Sequence, residues 1–361
     1  MISYAFYFVT VSLIALLWLW LFRRRWVLDR PWHDWIPMRL FKVPNFQGIV
    51  YIIGLRAGIL LFFPQLLSHQ AIFQLLIVAT WYGLFNFIND IIDWKGDMTW
   101  IHPKRRLLVQ VLFVSIYIAI SWLYLHITLF WYELPPLAGY FFSLVWILWC
   151  INAINFFDGS HAMTAWVTSL GFIAIALIIN TVVLVMYQVS WSDLDLMNSI
   201  TMLCILCAIS CFVYTIVEYK PWWVLRDVGM SFIGFLLWSL ALLWWAKLGT
   251  MLLVLFLPLC DSIRVCINRI IIMKKNPMKG DYTHLHHRMM RLWMTRAEVR
   301  RPIWAFSLTM LLILALLWEW SIDKLIVFIW LAVLFFVTHI YLYWIKKLPF
   351  ELLTKEKKQE K

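Results

Sequence analysis

Met251-Leu-Leu-Val-Leu-Phe-Leu-Pro258-Leu259-Cys260-Asp261 runs apolar for ten residues and closes on a carboxylate. A basic stretch follows and ends in His284-Leu285-His286-His287-Arg288. Such polar density beside a greasy segment is kept where a chain leaves a bilayer and has something to bind. Ionisable groups at membrane depth are costly and mark function by default. The stretch therefore points to a membrane-embedded fold that handles an anionic ligand at its surface.

The rest of the 361 residues agrees. Hydrophobic residues make up 64% of the chain and charged ones only 14%, well under the roughly 25% of a soluble domain. Apolar runs near 20 residues recur along nearly the whole length, and about eleven qualify as transmembrane helices. They lie near 2–22, 48–68, 70–90, 107–126, 137–157, 162–187, 196–217, 229–246, 249–270, 303–319 and 324–345. The expected fold is all-α: one polytopic domain over 1–345 and a basic tail over 346–361. The first run is long enough for a full crossing and lacks a small-residue cleavage site, so it reads as a retained helix.

Charge orients the chain. Lys and Arg crowd into 23–47, 91–106, 218–228, 271–302 and the tail, whereas the intervening loops hold only Lys247 and Lys324. Arg56, Arg264 and Arg269 fall within spans. The positive-inside rule puts the crowded loops and the C-terminus in the cytoplasm and the N-terminus outside. The net charge of +12 then reads as attraction to the anionic leaflet and to anionic ligands, with no nucleic-acid partner implied. Cys204, Cys207 and Cys211 share a helix face; the spacing suits a metal or redox cluster, but packing by small polarizable side chains is the simpler account.

Four polar clusters fall at cytoplasmic ends of spans. Asn86, Asn89, Asp90 and Asp93 follow i, i+3, i+4, i+7 and form one helical stripe, with Lys104, Arg105 and Arg106 behind it. Carboxylates beside basic residues suit a metal–phosphate site; a solvated helix end accounts for them equally. Asn152, Asn155 and Asp158 step down the 137–157 helix by single turns, before Gly159. Asn pairs also serve plain interhelical packing. Asp227, after Arg226, could simply cap the following helix. Asp261 and Arg264 could pair within theirs. The three histidines, set among Lys and Arg that repel cations, suit a pyrophosphate or nucleotide better than zinc.

Together the clusters resemble the polyprenyl-phosphate N-acetylhexosamine-1-phosphate transferases, a glycosyltransferase family 4 type. This family includes the UDP-N-acetylglucosamine–undecaprenyl-phosphate transferases and the phospho-MurNAc-pentapeptide translocase. Its D-D-x-x-D is similar to Asn89-Asp90-Ile-Ile-Asp93, and its N-A-x-N-x-x-D-G-x-D-G to Asn152 through Ala162. Its G-D-A-G-S is similar to Arg226-Asp227-Val228-Gly229-Met230. Its P-L-x-D and H-x-H-H resemble Pro258–Asp261 and His284–His287, the strongest match, which favours the N-acetylglucosamine branch. Pro44-Asn45-Phe46-Gln47-Gly48 is a weaker trace of a proline followed by a glycine pair.

The resemblance implies that a polyprenyl phosphate in the cytoplasmic leaflet attacks the β-phosphorus of a UDP-HexNAc and expels UMP. It implies Mg²⁺, with Mn²⁺ as a substitute, to neutralise the pyrophosphate. By position, Asp90 and Asp158 are the catalytic or metal-facing carboxylates and Asn89 a further metal ligand. Asn152, Asn155, Asp227, Asp261, His284, His286, His287 and Arg288 line the substrate. Lys104, Arg105 and Arg106 meet the lipid phosphate. The expected setting is a bacterial inner membrane, with membrane lipid around the protein, a homodimer as a compatible assembly and a lipid-linked envelope glycan as the product's fate.

The chain departs from the family pattern at positions that bear on the chemistry. Asn89 and His161 stand where the family has aspartates, and Arg226 and Met230 flank Asp227 in place of glycine and serine. Asparagine carries neither negative charge nor base character. A divergent active transferase and a degenerate relative that only binds its ligands both fit these departures. A transporter is the alternative of a different class, suggested by helix number and Arg56. It calls for midplane polar groups and inverted repeats, and the sequence has neither pattern. UDP-GlcNAc is the default donor from the histidine segment, with fucosamine- and quinovosamine-type donors open.

Overall fold

The computed structural model describes residues 2–23, 28–29, 43–44, 47–94, 103–122, 127–129, 132–158, 162–185, 191–219, 226–243, 248–274, 283–291, 296–316 and 321–344. Helices account for nearly all of them: α1 (Ile2–Arg23), α2 (Gln47–Phe62), α3 (Gln70–Trp94), α4 (Pro103–Ser121), α5 (Pro136–Phe157), α6 (Met163–Val185) and α7 (Trp191–Val217). They continue as α8 (Arg226–Leu243), α9 (Leu248–Val254), α10 (Phe256–Ile267), α11 (Leu285–Arg291), α12 (Arg296–Leu316) and α13 (Ser321–Trp344). Two antiparallel pairs of two residues each, Leu28–Asp29 with Val43–Pro44 and Thr128–Leu129 with Tyr132–Glu133, are the strands among the described residues. The 346–361 tail lies outside them.

Five helical stretches are long and apolar enough to cross a membrane: Gln70–Asn89, Pro136–Phe157, Met163–Thr181, Leu194–Val217 and Glu298–Leu316. Four shorter apolar stretches accompany them, Ile2–Trp18, Gly48–Phe62, Asp227–Leu243 and Ile326–Thr338. Large apolar side chains point outward, with Leu316 80% and Trp330 71% exposed. A water-soluble surface avoids such continuous apolar cover; a lipid-facing one requires it. The chain is a helical membrane protein.

α8 is the axis. Val228 through Leu242 are all buried, and α2, α3, α5 and α6 pack around it. Its start is in backbone contact with α2: a Cβ built on Gly48 would lie 2.2 Å from the Gly229 nitrogen. Gly48→Ala should therefore force these helices apart at a cost of about 1–3 kcal/mol, read as a lower melting temperature in detergent.

Polar groups inside the bundle find partners across helices. Tyr7 Oη lies 2.5 Å from Ser210 Oγ, and Tyr51 Oη 3.3 Å from Cys211 Sγ. Cys204, Cys207 and Cys211 are buried free thiols on α7, as packing predicts. Arg56 donates to Thr80 Oγ1 at 2.6 Å and to the Leu76 carbonyl on α3. It acts as a tie between helices, which offsets the cost of a cation at that depth.

Two segments differ from their sequence expectation. The run 249–270 is divided, with Leu255 in a turn between α9 and α10 and a π-helical segment over Asn268–Ile272. In a continuous helix the Pro258 ring would clash with the Val254 carbonyl, whereas proline fits within the first turn of a new one. The basic 271–302 loop contains α11 and the start of α12, because Val299 and Ile303 supply a buried stripe opposite exposed Arg301.

Candidate active site

Helix ends gather at one end of the bundle. At the start of α4, Arg106 Nη2 lies 2.5 Å from Asp227 Oδ2 in the first turn of α8. Asp158 caps the end of α5, and its Oδ1 accepts from Thr164 Oγ1 at 3.1 Å. Asp158 keeps part of its surface open but is enclosed on its other sides. That enclosure pushes its carboxyl up to about 7; the Thr164 hydrogen bond opposes the rise and the Asp227 charge adds to it. Two carboxylates that repel each other beside one guanidinium offer hard oxygen donors to a divalent cation, which would relieve the repulsion. The residues present fit a Mg²⁺ ion.

Two amides, Asn152 on α5 and Asn86 on α3, have structural partners. Asn152 Nδ2 donates to Gln110 Oε1 on α4 at 2.9 Å and to the Leu148 carbonyl at 2.7 Å. Asn86 Nδ2 turns back to the Tyr82 carbonyl at 2.8 Å. Asn89 is buried one turn further along α3, and Asn155 is partly exposed on the last turn of α5. Lys104 and Arg105 are exposed at the start of α4. The backbone of α3 continues through Asp90 and Asp93, whose side chains lie outside the described residues. So do Gly159, Ser160 and His161, the Arg226 side chain and the Asn45-Phe46 pair. Among the described residues no three His, Cys, Asp or Glu side chains form a metal cluster.

The histidine segment is built onto α10 by a single carboxylate. Asp261 is 1% exposed. Its Oδ1 accepts from Arg264 Nε at 3.1 Å and Nη2 at 2.6 Å. Its Oδ2 lies 3.3 Å from His284 Nδ1, and both oxygens lie 3.1 Å from the Leu285 amide. Leu285 opens α11, so Asp261 satisfies one of the donors that a helix start leaves unpaired. Arg264 Nη2 completes the frame by donating to the Thr283 carbonyl at 2.5 Å. The motif match puts Asp261 among ligand-binding residues; in the structure its oxygens are engaged by protein donors, and it holds the segment that carries the histidines.

His284, His286 and His287 cluster: the His284 and His286 rings stack in parallel with centroids 5.8 Å apart, and the His287 ring is tilted against His286 at 4.1 Å. Phe156, two residues before Asp158, lies 5.5 Å from the His284 ring. Arg269 sits 5.7 Å over the Phe156 ring and places Nη2 3.3 Å from His284 Nε2. The histidine cluster and the Asp158–Asp227 pair thus share one wall, the end of α5. Arg288 follows on α11, partly exposed.

Three residues absent from the sequence-based site belong to this frame. Gln110 is a lone amide in an apolar run, and the polarity it shares with Asn152 was its only signal. Arg269 reads from sequence as one more cation in a span, yet it is buried against the histidines. Glu218 ends α7 as an isolated acid and accepts from the Ala162 amide at 3.1 Å.

Known proteins are similar to this chain in sequence. The phospho-N-acetylmuramoyl-pentapeptide-transferase of Staphylococcus saprophyticus is 25% identical over 150 residues, covering 39% of this chain and 47% of that protein. The chain thus spans about half the length of that relative. The undecaprenyl-phosphate alpha-N-acetylglucosaminyl 1-phosphate transferases of Salmonella typhi and Salmonella typhimurium are each 26% identical over 289 residues, 73% of this chain and 72% of theirs. The profile of Glycosyl transferase family 4 matches residues 72–257, a stretch that runs from α3 into α10 and includes Asn86, Asp158 and Asp227. The chain is a divergent member of glycosyl transferase family 4.

Proposed function

We propose that the protein transfers a HexNAc-1-phosphate from a UDP-sugar to polyprenyl phosphate at the cytoplasmic face of a bacterial inner membrane, starting a lipid-linked envelope glycan. The observation that carries this reading is the shared wall at the end of α5, with the Asp158–Asp227–Arg106 group on one side of it and the histidine cluster with Arg269 on the other. One side suits a metal-bridged diphosphate and the other an anionic donor.

In the reaction an oxygen of the lipid phosphate attacks the β-phosphorus, the bond from that phosphorus to the bridging oxygen breaks, and UMP leaves with the electron pair. Such transfers depend on positioning and charge stabilisation more than on covalent help. Mg²⁺, held by Asp158 and Asp227 with Asp90 and Asn89 alongside, would neutralise the diphosphate. His286, His287, Arg288 and Arg269 would hold the nucleotide diphosphate, Asp261 keeping their segment in place. Asn152 and Asn155 stiffen and line the α5 wall. Arg106, with Lys104 and Arg105 at the membrane surface, would receive the lipid phosphate. Asn89 supplies no base, and none is needed: a phosphate monoester, with a second pKa near 6, is already ionised at neutral pH.

The same reading has eleven crossings in one polytopic domain, α9 and α10 together forming the ninth, with the N-terminus outside and the 346–361 tail in the cytoplasm. The gathering of α2, α4, α6 and α8 starts with α5 and α7 ends at one face supports that alternation. UDP-GlcNAc is the expected donor.

Purified protein with Mg²⁺, polyprenyl phosphate and a panel of UDP-sugars should release UMP only when the lipid is present. Folded protein that releases none from any donor would overturn the proposal. Gain of release on Asn89→Asp together with His161→Asp would identify a degenerate relative.

A further inference from the structure

We infer that Glu218 and Trp304 are positioning residues that hold Ala162 in an unfavourable conformation and, through it, aim Asp158. The inference rests on the transfer reading above. Ala162 has φ 61° and is fully buried. That left-handed region favours glycine because an ordinary side chain crowds the backbone there. The family pattern similar to residues 152–162 has glycine at this position, so this chain holds an alanine where the backbone geometry suits glycine.

Side chains from two other helices hold both main-chain polar groups of Ala162. Glu218, 1% exposed at the end of α7, accepts from the Ala162 amide at 3.1 Å through Oε2. Trp304 on α12 donates Nε1 to the Ala162 carbonyl at 3.2 Å. A carboxylate is the strongest acceptor for that amide, and it sits where the α6 dipole is positive. The clamp is itself braced. Arg300 Nη1 donates to the Tyr219 carbonyl at 2.8 Å and its guanidinium lies 4.0 Å over the Tyr219 ring. Trp304 stacks on Trp166 of α6 at 5.1 Å. Three helices, α6, α7 and α12, are locked around one strained residue.

The lock reaches the site in one step. Ala162 directly precedes α6, and Thr164 in the first turn of α6 donates to Asp158 Oδ1. Through that hydrogen bond the placement of the turn orients the Asp158 carboxylate. Neither Glu218 nor Trp304 needs to touch substrate for this; each acts through Ala162.

The test uses the full chain in lipid nanodiscs, with UMP release and the Mg²⁺-dependent rise in melting temperature as separate readouts. Glu218→Leu should lower kcat about 100-fold with KM for the UDP-sugar nearly unchanged, the mark of lost aim and not of lost binding. Glu218→Gln, which keeps an acceptor oxygen, should recover most of the rate. Trp304→Phe should show a milder loss of the same kind. The Glu218→Leu loss should shrink about tenfold when combined with Ala162→Gly, because glycine holds the left-handed conformation unaided. The Mg²⁺ shift should shrink in Glu218→Leu and persist in Glu218→Gln. Full kcat in folded Glu218→Leu, or a loss that Ala162→Gly does not reduce, would overturn the clamp. Wild type that releases no UMP refutes the transfer reading instead, and the Mg²⁺ shift across the same variants then decides the clamp alone.

Discussion

Asp158→Ala is expected to lower kcat about 10³-fold, the cost of losing a group that stabilises developing charge in an enclosed site. Asp158→Asn should lose nearly as much, since it keeps the size and the Thr164 contact but loses the charge. Stability should move the other way. Asp158 sits with its carboxyl pushed up to about 7, by enclosure and also by Asp227. Its ionised form is therefore unfavourable in the metal-free fold at neutral pH, and removing that charge should leave the melting temperature unchanged or slightly higher. Adding Mg²⁺ should raise the melting temperature of wild type and not of Asp158→Asn. Full activity in either variant removes Asp158 from the site. A drop in metal-free stability that accounts for the lost rate would make it merely structural.

The second large effect belongs to Asp261. Asp261→Leu leaves the Arg264 guanidinium, the Leu285 amide and His284 without their shared acceptor in the protein interior. Breaking a buried ion pair by removing one partner costs about 3–5 kcal/mol, so the melting temperature should fall steeply. In whatever fraction folds, KM for the UDP-sugar should rise more than kcat falls, because α11 and its histidines lose their anchor. Adding Arg264→Leu should cost less on top of Asp261→Leu than it does alone, since the uncompensated cation goes with it. An Asp261→Leu protein of wild-type stability would contradict the frame drawn from these distances. Unchanged KM would separate the anchor from donor binding.

Much of this was legible in the residues alone. Apolar runs located the helices, because in a bilayer the backbone can satisfy its hydrogen bonds in few other ways. The grouping of Asp158, Asp227 and the histidines at one end followed from their places at alternate span ends. Less legible were the contacts that depend on which side a helix turns. Asp261 reads as a ligand or as an i, i+3 partner of Arg264, and its anchoring role shows only when the Leu285 amide, 24 residues away, is seen on its oxygens. Glu218 has no periodicity or motif around it, and only the approach of Ala162 across 56 residues gives it a purpose. The division at Leu255 was available from Pro258, because proline restricts the preceding turn. Hydropathy averages over such a position and shows one span.

In the proposed transfer the bond broken lies between the two phosphates of the donor. UDP-HexNAc labelled with ³²P at the β-phosphate, incubated with polyprenyl phosphate and Mg²⁺, distinguishes this from transfer of the sugar alone. Transfer of the sugar phosphate puts label in the lipid phase and one unlabelled UMP in the aqueous phase for each labelled lipid. Label that stays in water as UDP while the lipid gains sugar would contradict it.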